Sequence, residues 1–225
     1  MAWTPLPENV VVTVETPEPK QFTLDPAKTA VVVVDMENFF CKRGNQRSFD
    51  VIEGNVRLLA KARESGAKVI YVHSVRQVQS PDWTVYRRFH LNLLLGTWDS
   101  EIVEEIAPLP GEPVVQKWSH DVWAWWGIEQ VLECEGIVAG EWTVLVTGVS
   151  AAQCAHAAAL GFSNRHYNVL IPLDATAANV EAEARSYHQY MSPGYSYNMD
   201  FTLSTMVTFE AAAVEPEERV LAGTA

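Results

Sequence analysis

The 225-residue sequence has no lysine- and arginine-rich run, only three cysteines, and no apolar stretch of membrane-spanning length. Each absence removes a class of function. A formal net charge of -12 and a sequence pI near 4.9 repel phosphate backbones and anionic membrane surfaces. The nearest basic clusters, "CKRGNQR" around Arg43 and the pair Arg87 and Arg88, read as solvated loop charges. Neither a nucleic acid nor a membrane is therefore expected as a partner. Cys41, Cys134 and Cys154 are odd in number and lack CxxC spacing, which indicates neither a disulfide framework nor a zinc knuckle. A reducing cytoplasm suits them. The N-terminal stretch carries Pro and Glu where a secretory leader needs a basic and then an uninterrupted apolar segment, so a cytoplasmic protein is expected.

What is present is the composition of an ordinary folded protein, 48% hydrophobic and 20% charged. Residues 1–28 read as an extended, proline-punctuated arm, and residues 29–225 as one domain. The domain opens on "TAVVVVDM", a β-branched run of the kind buried on both faces in a parallel sheet. "VIEGNVRLLAKARESGAK" has helical spacing and ends at Gly66, a C-cap, before the strand "KVIYVHS". The alternation resumes with "PVVQK", "WAWWGIEQVLECEG", "WTVLVTG", "AAQCAHAAALGFSNRH", "YNVLIPLDA" and "AANVEAEARSYHQYM", with "STMVTF" as a last short strand. The expected fold is a three-layer α/β/α arrangement, Rossmann-like, around a mostly parallel sheet. The proline-rich stretch from Val75 to Pro113 reads as an inserted loop region of the sort that covers an active site.

In open α/β sheets ligands bind at the carboxyl ends of strands, so the first polar residues after each apolar run carry the functional information. Asp35 ends "VVVVD", Lys117 ends "VVQK", and the loop after "VLVTG" leads to Cys154. A thiol reacts as thiolate, and a helix N-terminus together with a nearby lysine is expected to lower its pKa. Asp35 is then positioned to move the proton, and backbone N–H groups of "GVSAAQC" to hold an oxyanion. Each residue alone has a plain structural explanation as core, cap or surface group, and that explanation is kept for Cys41 and Cys134.

With these residues in place, "VVVVDMENFFC", "VVQKWSHDVW" and "VLVTGVSAAQCAHAAALGFSNRHYNVLIPLDATAA" together resemble the isochorismatase-like cysteine hydrolases, over about Thr29 to Phe209. Relatives in that family include nicotinamidases and the N-carbamoylsarcosine, biuret and ureidoacrylate amidohydrolases. The resemblance implies a catalytic triad of Asp35, Lys117 and Cys154, an acyl-enzyme on Cys154, a cis peptide between Val149 and Ser150, and an oxyanion hole from the N–H groups of Ser150 and Cys154. Retention of Cys154 and Lys117 directs the reading to hydrolysis of a C–N bond in a small amide, ureido or imide substrate. The alternatives are vinyl-ether hydrolysis of the isochorismatase type, in which Asp35 protonates substrate, and a non-catalytic binding protein on the same fold.

Two departures stand out. Glu37 occupies a place where many relatives carry Gln, and Asp50 is followed by Val51 and Ile52 rather than by an Asp-x-His metal motif. No metal and no cofactor are expected, and His120 beside Asp121 is a weak ligand pair. Four of the eight tryptophans, Trp118, Trp123, Trp125 and Trp126, follow Lys117 closely. Trp118 and Trp123, with Phe40, Trp83 and Trp98, are candidates for an aromatic pocket around a planar substrate. Arg43, Arg47, Arg87 and Arg88 are equally candidates for a substrate carboxylate or for plain surface charge. The apolar helix "WAWWGIEQVL" predicts a homo-oligomer, a dimer or a tetramer.

Overall fold

The β-branched run is buried on both faces: Ala30 to Val34 are at most 1% exposed. The structure is a computed structural model that describes residues 13, 15–44, 46–77, 93–124, 126–191 and 198–211. In chain order its strands and helices are β1 (Phe22–Leu24), β2 (Thr29–Val34), α1 (Asn38–Lys42), α2 (Gln46–Ser65), β3 (Lys68–Ser74), β4 (Val114–Lys117) and α3 (Gly127–Cys134). They continue with β5 (Thr143–Val149), α4 (Cys154–Asn164), β6 (Asn168–Pro172), β7 (Thr176–Ala177), α5 (Val180–Met191), β8 (Met199–Thr202) and β9 (Val207–Phe209).

The central sheet runs β4-β3-β2-β5-β6-β8 with every pairing parallel, and β7 adds to the end of β5. Strand alternation splits the apolar side chains between two cores. Ala30, Val32 and Val34 face a layer that contains Ile128 and Leu132 of α3, Ala155, Ala158 and Phe162 of α4, and Tyr187 of α5. Val31 and Val33 face the other layer, with Val51, Leu58, Leu59 and Ala62 of α2. Those α2 positions recur at helical spacing, and Gly66, at φ +83, ends the helix as expected. The three-layer α/β/α reading is what the chain adopts.

Strands β1 and β8 were not visible in the sequence pattern, whereas β9 is the end of the expected strand "STMVTF". β8 completes the sheet edge beside β6, while β1 pairs with β9 in a separate parallel ribbon and Lys20 N–H donates to Phe201 O at 2.8 Å. The described end of the arm is therefore fastened to the domain. Residues 1–12 of the arm lie outside the described residues. Among the described residues no helix is long and apolar enough to cross a membrane.

Candidate active site

Because β2, β4 and β5 are parallel members of one sheet, their carboxyl ends share an edge, and that edge collects the three residues singled out from sequence. Asp35 follows β2 directly. Its φ of +51 is a left-handed conformation uncommon outside glycine, held by a 2.9 Å bond from its N–H to Val72 O. Lys117 is the last residue of β4 and donates from Nζ to Asp35 Oδ2 at 2.7 Å and to Ser119 O at 2.9 Å. Both side chains are 1% exposed. Cys154 is the first residue of α4, buried, with Sγ 3.2 Å from Nδ1 of His120. Asp35 Oδ1 has no hydrogen-bond partner among the described residues.

The electrostatics correct one expectation. The thiol of Cys154 is pushed well above its ordinary pKa: burial is the largest cause, the Asp35 carboxylate adds to it, and Lys117 only partly opposes. The helix terminus and the lysine do not win, because the ammonium is already engaged by Asp35 and the sulfur is desolvated. Burial alone would lower the pKa of Lys117, but Asp35 outweighs it and keeps the lysine protonated. His120 is held below the ordinary imidazole value by burial and by the Lys117 and Arg76 cations, against Asp35. The resting site is a neutral thiol beside a neutral imidazole and an ion pair.

Glu37 is fully buried and accepts from the Ser74 N–H at 2.6 Å. Burial, then the Asp35 charge, raises its pKa well above that of an ordinary carboxyl, which favours the protonated form. It is absent from the described cavity lining, and its bond to Ser74 braces the end of β3. A protonated carboxyl offers one acceptor and one donor, much as the amide of glutamine does.

The turn between β5 and α4 supplies the remaining parts. Gly148 has φ +98, and a Cβ there would lie 1.9 Å from Val34 O, so only glycine lets the end of β5 pass β2 this closely. The Val149–Ser150 peptide is cis. Within the turn, the N–H of Ala151 donates to Ala177 O, and those of Gln153 and Ala155 to Ser150 O. Among the described residues none accepts from the N–H of Ser150 or Cys154.

These groups open onto a cavity of about 1060 Å³ lined by Asp35, Cys154, Ser150 and His120, with Phe39 and Phe40 on the α1 side. Of the aromatic candidates among the described residues, Phe40 is in the lining, whereas Trp98, Trp118 and Trp123 are not. Trp98 is half-exposed under the Arg43 guanidinium, 5.2 Å from its ring. The turn after Lys117 gives Ser119 and His120 to the cavity in place of Trp118. Trp123 packs edge-on to Phe162 at 4.8 Å and against Gly161, where a Cβ would fall 1.9 Å from its ring nitrogen. Trp83 and Trp125 lie outside the described residues.

Of the arginine candidates, Arg43 lines the cavity, Arg47 is bound to Glu183 with Nε to Oε2 at 3.0 Å, and Arg87 and Arg88 lie outside the described residues. Sequence reasoning missed Arg76, which is 1% exposed, lines the cavity, and donates to Val75 O at 2.9 Å. It sits two residues past β3, beyond His73 and Ser74, the first polar residues after that apolar run. In the sequence His120 reads as half of a weak ligand pair with Asp121. In the structure Asp121 caps the Trp123 N–H at 2.9 Å while His120 meets the sulfur. Among the described residues no group of three or more His, Cys, Asp or Glu is arranged to hold a metal ion.

The architecture is shared with solved α/β structures of isochorismatase type. N-carbamoylsarcosine amidase from Thermoplasma acidophilum superposes with a TM-score of 0.64 at 25% identity, over 79% of this chain and 96% of that one. Nicotinamidase PncA from Bacillus subtilis superposes at 0.66 with 17% identity, over 78% and 99%, a likeness of fold. The family model for the isochorismatase domain matches residues 29–200, and the chain belongs to the isochorismatase family. Among characterised sequences it is similar to ureidoacrylate amidohydrolase RutB of Agrobacterium fabrum, 32% identical over 146 residues, which cover 53% of this chain and 64% of that protein. RutB of Methylorubrum extorquens is 28% identical over 187 residues, 71% and 73% of the two chains. The chain thus spans just under two thirds of the first of these relatives.

Proposed function

We propose that the protein is a cysteine-dependent hydrolase of a small C–N substrate bearing an amide or ureido group. The observation that carries this is Cys154 at the head of α4, in the cavity lining with a buried Asp35–Lys117 pair. Similarity to ureidoacrylate amidohydrolases and to an N-carbamoylsarcosine amidase supports a carbamoyl group as the part of the substrate that reacts. Arg43, Arg76 and Arg185 in the lining support a substrate that also carries an anionic group.

In this reading Asp35 takes the Cys154 proton as sulfur attacks the carbonyl carbon. Because burial keeps the resting thiol protonated, thiolate forms only as the base acts. Lys117 holds the Asp35 carboxylate in place and offsets the charge that develops on sulfur. The N–H groups of Ser150 and Cys154 receive the oxyanion. Collapse breaks the C–N bond, the nitrogen leaves with the proton from Asp35, and water then hydrolyses the thioester.

Ammonia release across a panel of ureido acids, amides and imides, compared with Cys154→Ser, tests the reading. Release that vanishes in the variant upholds it, and equal release by both overturns it. We further propose a homo-oligomer in a reducing cytoplasm. Trp126 at 78% exposure and three unpaired thiols support this, and a monomer by light scattering would remove the first part.

A further inference from the structure

The Cys154 sulfur lies among two proton acceptors, and the chemistry above uses one. Both line the cavity, but Asp35 is buried at the sheet edge and pinned by Lys117, whereas His120 is exposed and brings Nδ1 to 3.2 Å from Sγ. We propose that His120 is a second catalytic base, the one that deprotonates the water that hydrolyses the acyl-cysteine. The inference rests on reading Cys154 as the nucleophile.

The argument is one of proton counting and access. The thiol carries a single proton, which Asp35 takes and passes to the leaving nitrogen, so none of it reaches Nδ1 and the sulfur is left acylated. The Nδ1 lone pair is then unoccupied beside the thioester, on the side open to the cavity, from which water must come. A base must lie within hydrogen-bond reach of the proton it abstracts, and His120 meets that condition at the reacting atom.

The groups that face His120 also suit the task. Burial first, then the Lys117 and Arg76 cations, hold the imidazole pKa below its ordinary value, Asp35 opposes them, and the Cys154 sulfur lies 3.2 Å from Nδ1. Asp121, next in sequence, is committed to the Trp123 N–H. The role requires the tautomer with its proton on Nε2, which leaves the Nδ1 lone pair facing the sulfur.

The step balances. Water gives one proton to Nδ1 as its oxygen bonds to the thioester carbon and the carbonyl π pair moves onto oxygen. On collapse the C–S bond breaks, Sγ recovers the proton from Nδ1, and the carboxylic acid departs.

The test uses 4-nitrophenyl acetate, which separates acylation from deacylation. In the wild type a burst of nitrophenolate should accompany a gain of one acetyl group on Cys154 by mass spectrometry. In His120→Ala the burst should persist while deacetylation slows about 100-fold, and added imidazole should restore part of the rate. His120→Gln keeps a hydrogen-bonding group beside sulfur without carrying a proton, and should be as slow. Wild-type deacetylation should fall as pH drops through a value below the ordinary imidazole range, and both variants should lack that fall. Deacetylation at the wild-type rate in His120→Ala would overturn the proposal while leaving the nucleophile intact. So would a joint loss of burst and turnover that imidazole does not rescue. A wild type never acetylated on Cys154 would sink the nucleophile reading, and this proposal with it.

Discussion

Lys117 at the end of β4 reaches past β3 to put its ammonium 2.7 Å from the Asp35 carboxylate at the end of β2. Both groups are taken out of water, so each is tolerated only because the other is there. Removing one partner leaves an uncompensated buried charge. Asp35→Asn and Lys117→Met should each lower unfolding stability by about 3–5 kcal/mol, and the double variant by clearly less than their sum. Urea denaturation at neutral pH reads all three, and strict additivity would contradict the coupling.

The thiol pKa has a kinetic signature. With the Cys154 pKa raised by burial and by Asp35, the thiolate fraction climbs about tenfold per pH unit without saturating near neutrality. Iodoacetamide labelling of Cys154, followed by mass spectrometry, should therefore keep accelerating up to pH 9. A plateau reached below pH 8 would mean a preformed thiolate.

Glu37 is predicted to act as a neutral group. Glu37→Gln should leave kcat/KM little changed, while Glu37→Ala, which frees the Ser74 N–H, should lower it. Between the ordinary carboxyl value near 4.5 and the higher pH at which Glu37 ionises, the unfolded chain has lost a proton that the folded one keeps, so this group makes stability fall as pH rises. Glu37→Gln removes that dependence. Its stability relative to wild type should improve from pH 4 to pH 7, by at most about 1.4 kcal/mol per pH unit, and a constant difference would refute a protonated Glu37.

Gly148 tests the crossing of β5 and β2. Gly148→Ala adds a methyl group aimed at Val34 O and forces a non-glycine residue to φ +98. Overpacking and backbone strain together should cost about 3 kcal/mol or more. A melting temperature equal to that of the wild type would show that the ends of β2 and β5 separate more easily than the structure implies.

The sequence carried more of the sheet than of the pocket. β2, β3, β5 and β6 are apolar runs long enough to stand out, because strands buried on both faces are built mostly from apolar residues. β8 was missed: its four residues, "MDFT", alternate too briefly, and only pairing with β6 defines them. α1 is five residues long and owes its place to contacts with the Trp98 turn, for which local propensity gives no signal.

The same division holds at the site. Asp35, Lys117 and Cys154 were legible because the parallel α/β pattern assigns strand ends to one edge before any distance is known. Their protonation was not, since burial and the Asp35–Lys117 contact set it and both are tertiary quantities. Trp123 shows the limit in the other direction: proximity in sequence to Lys117 suggested the pocket, but the gap above Gly161 took the ring. His120 needed the turn after β4 to fold back over α4 before its nitrogen met the sulfur. By itself the sequence determined the long buried strands and which edge gathers their polar ends, because those follow from period and chain order. Only the folded chain decided which charges are neutralised, which ring fills which gap and which group touches the thiol, because each depends on distances between residues far apart in sequence.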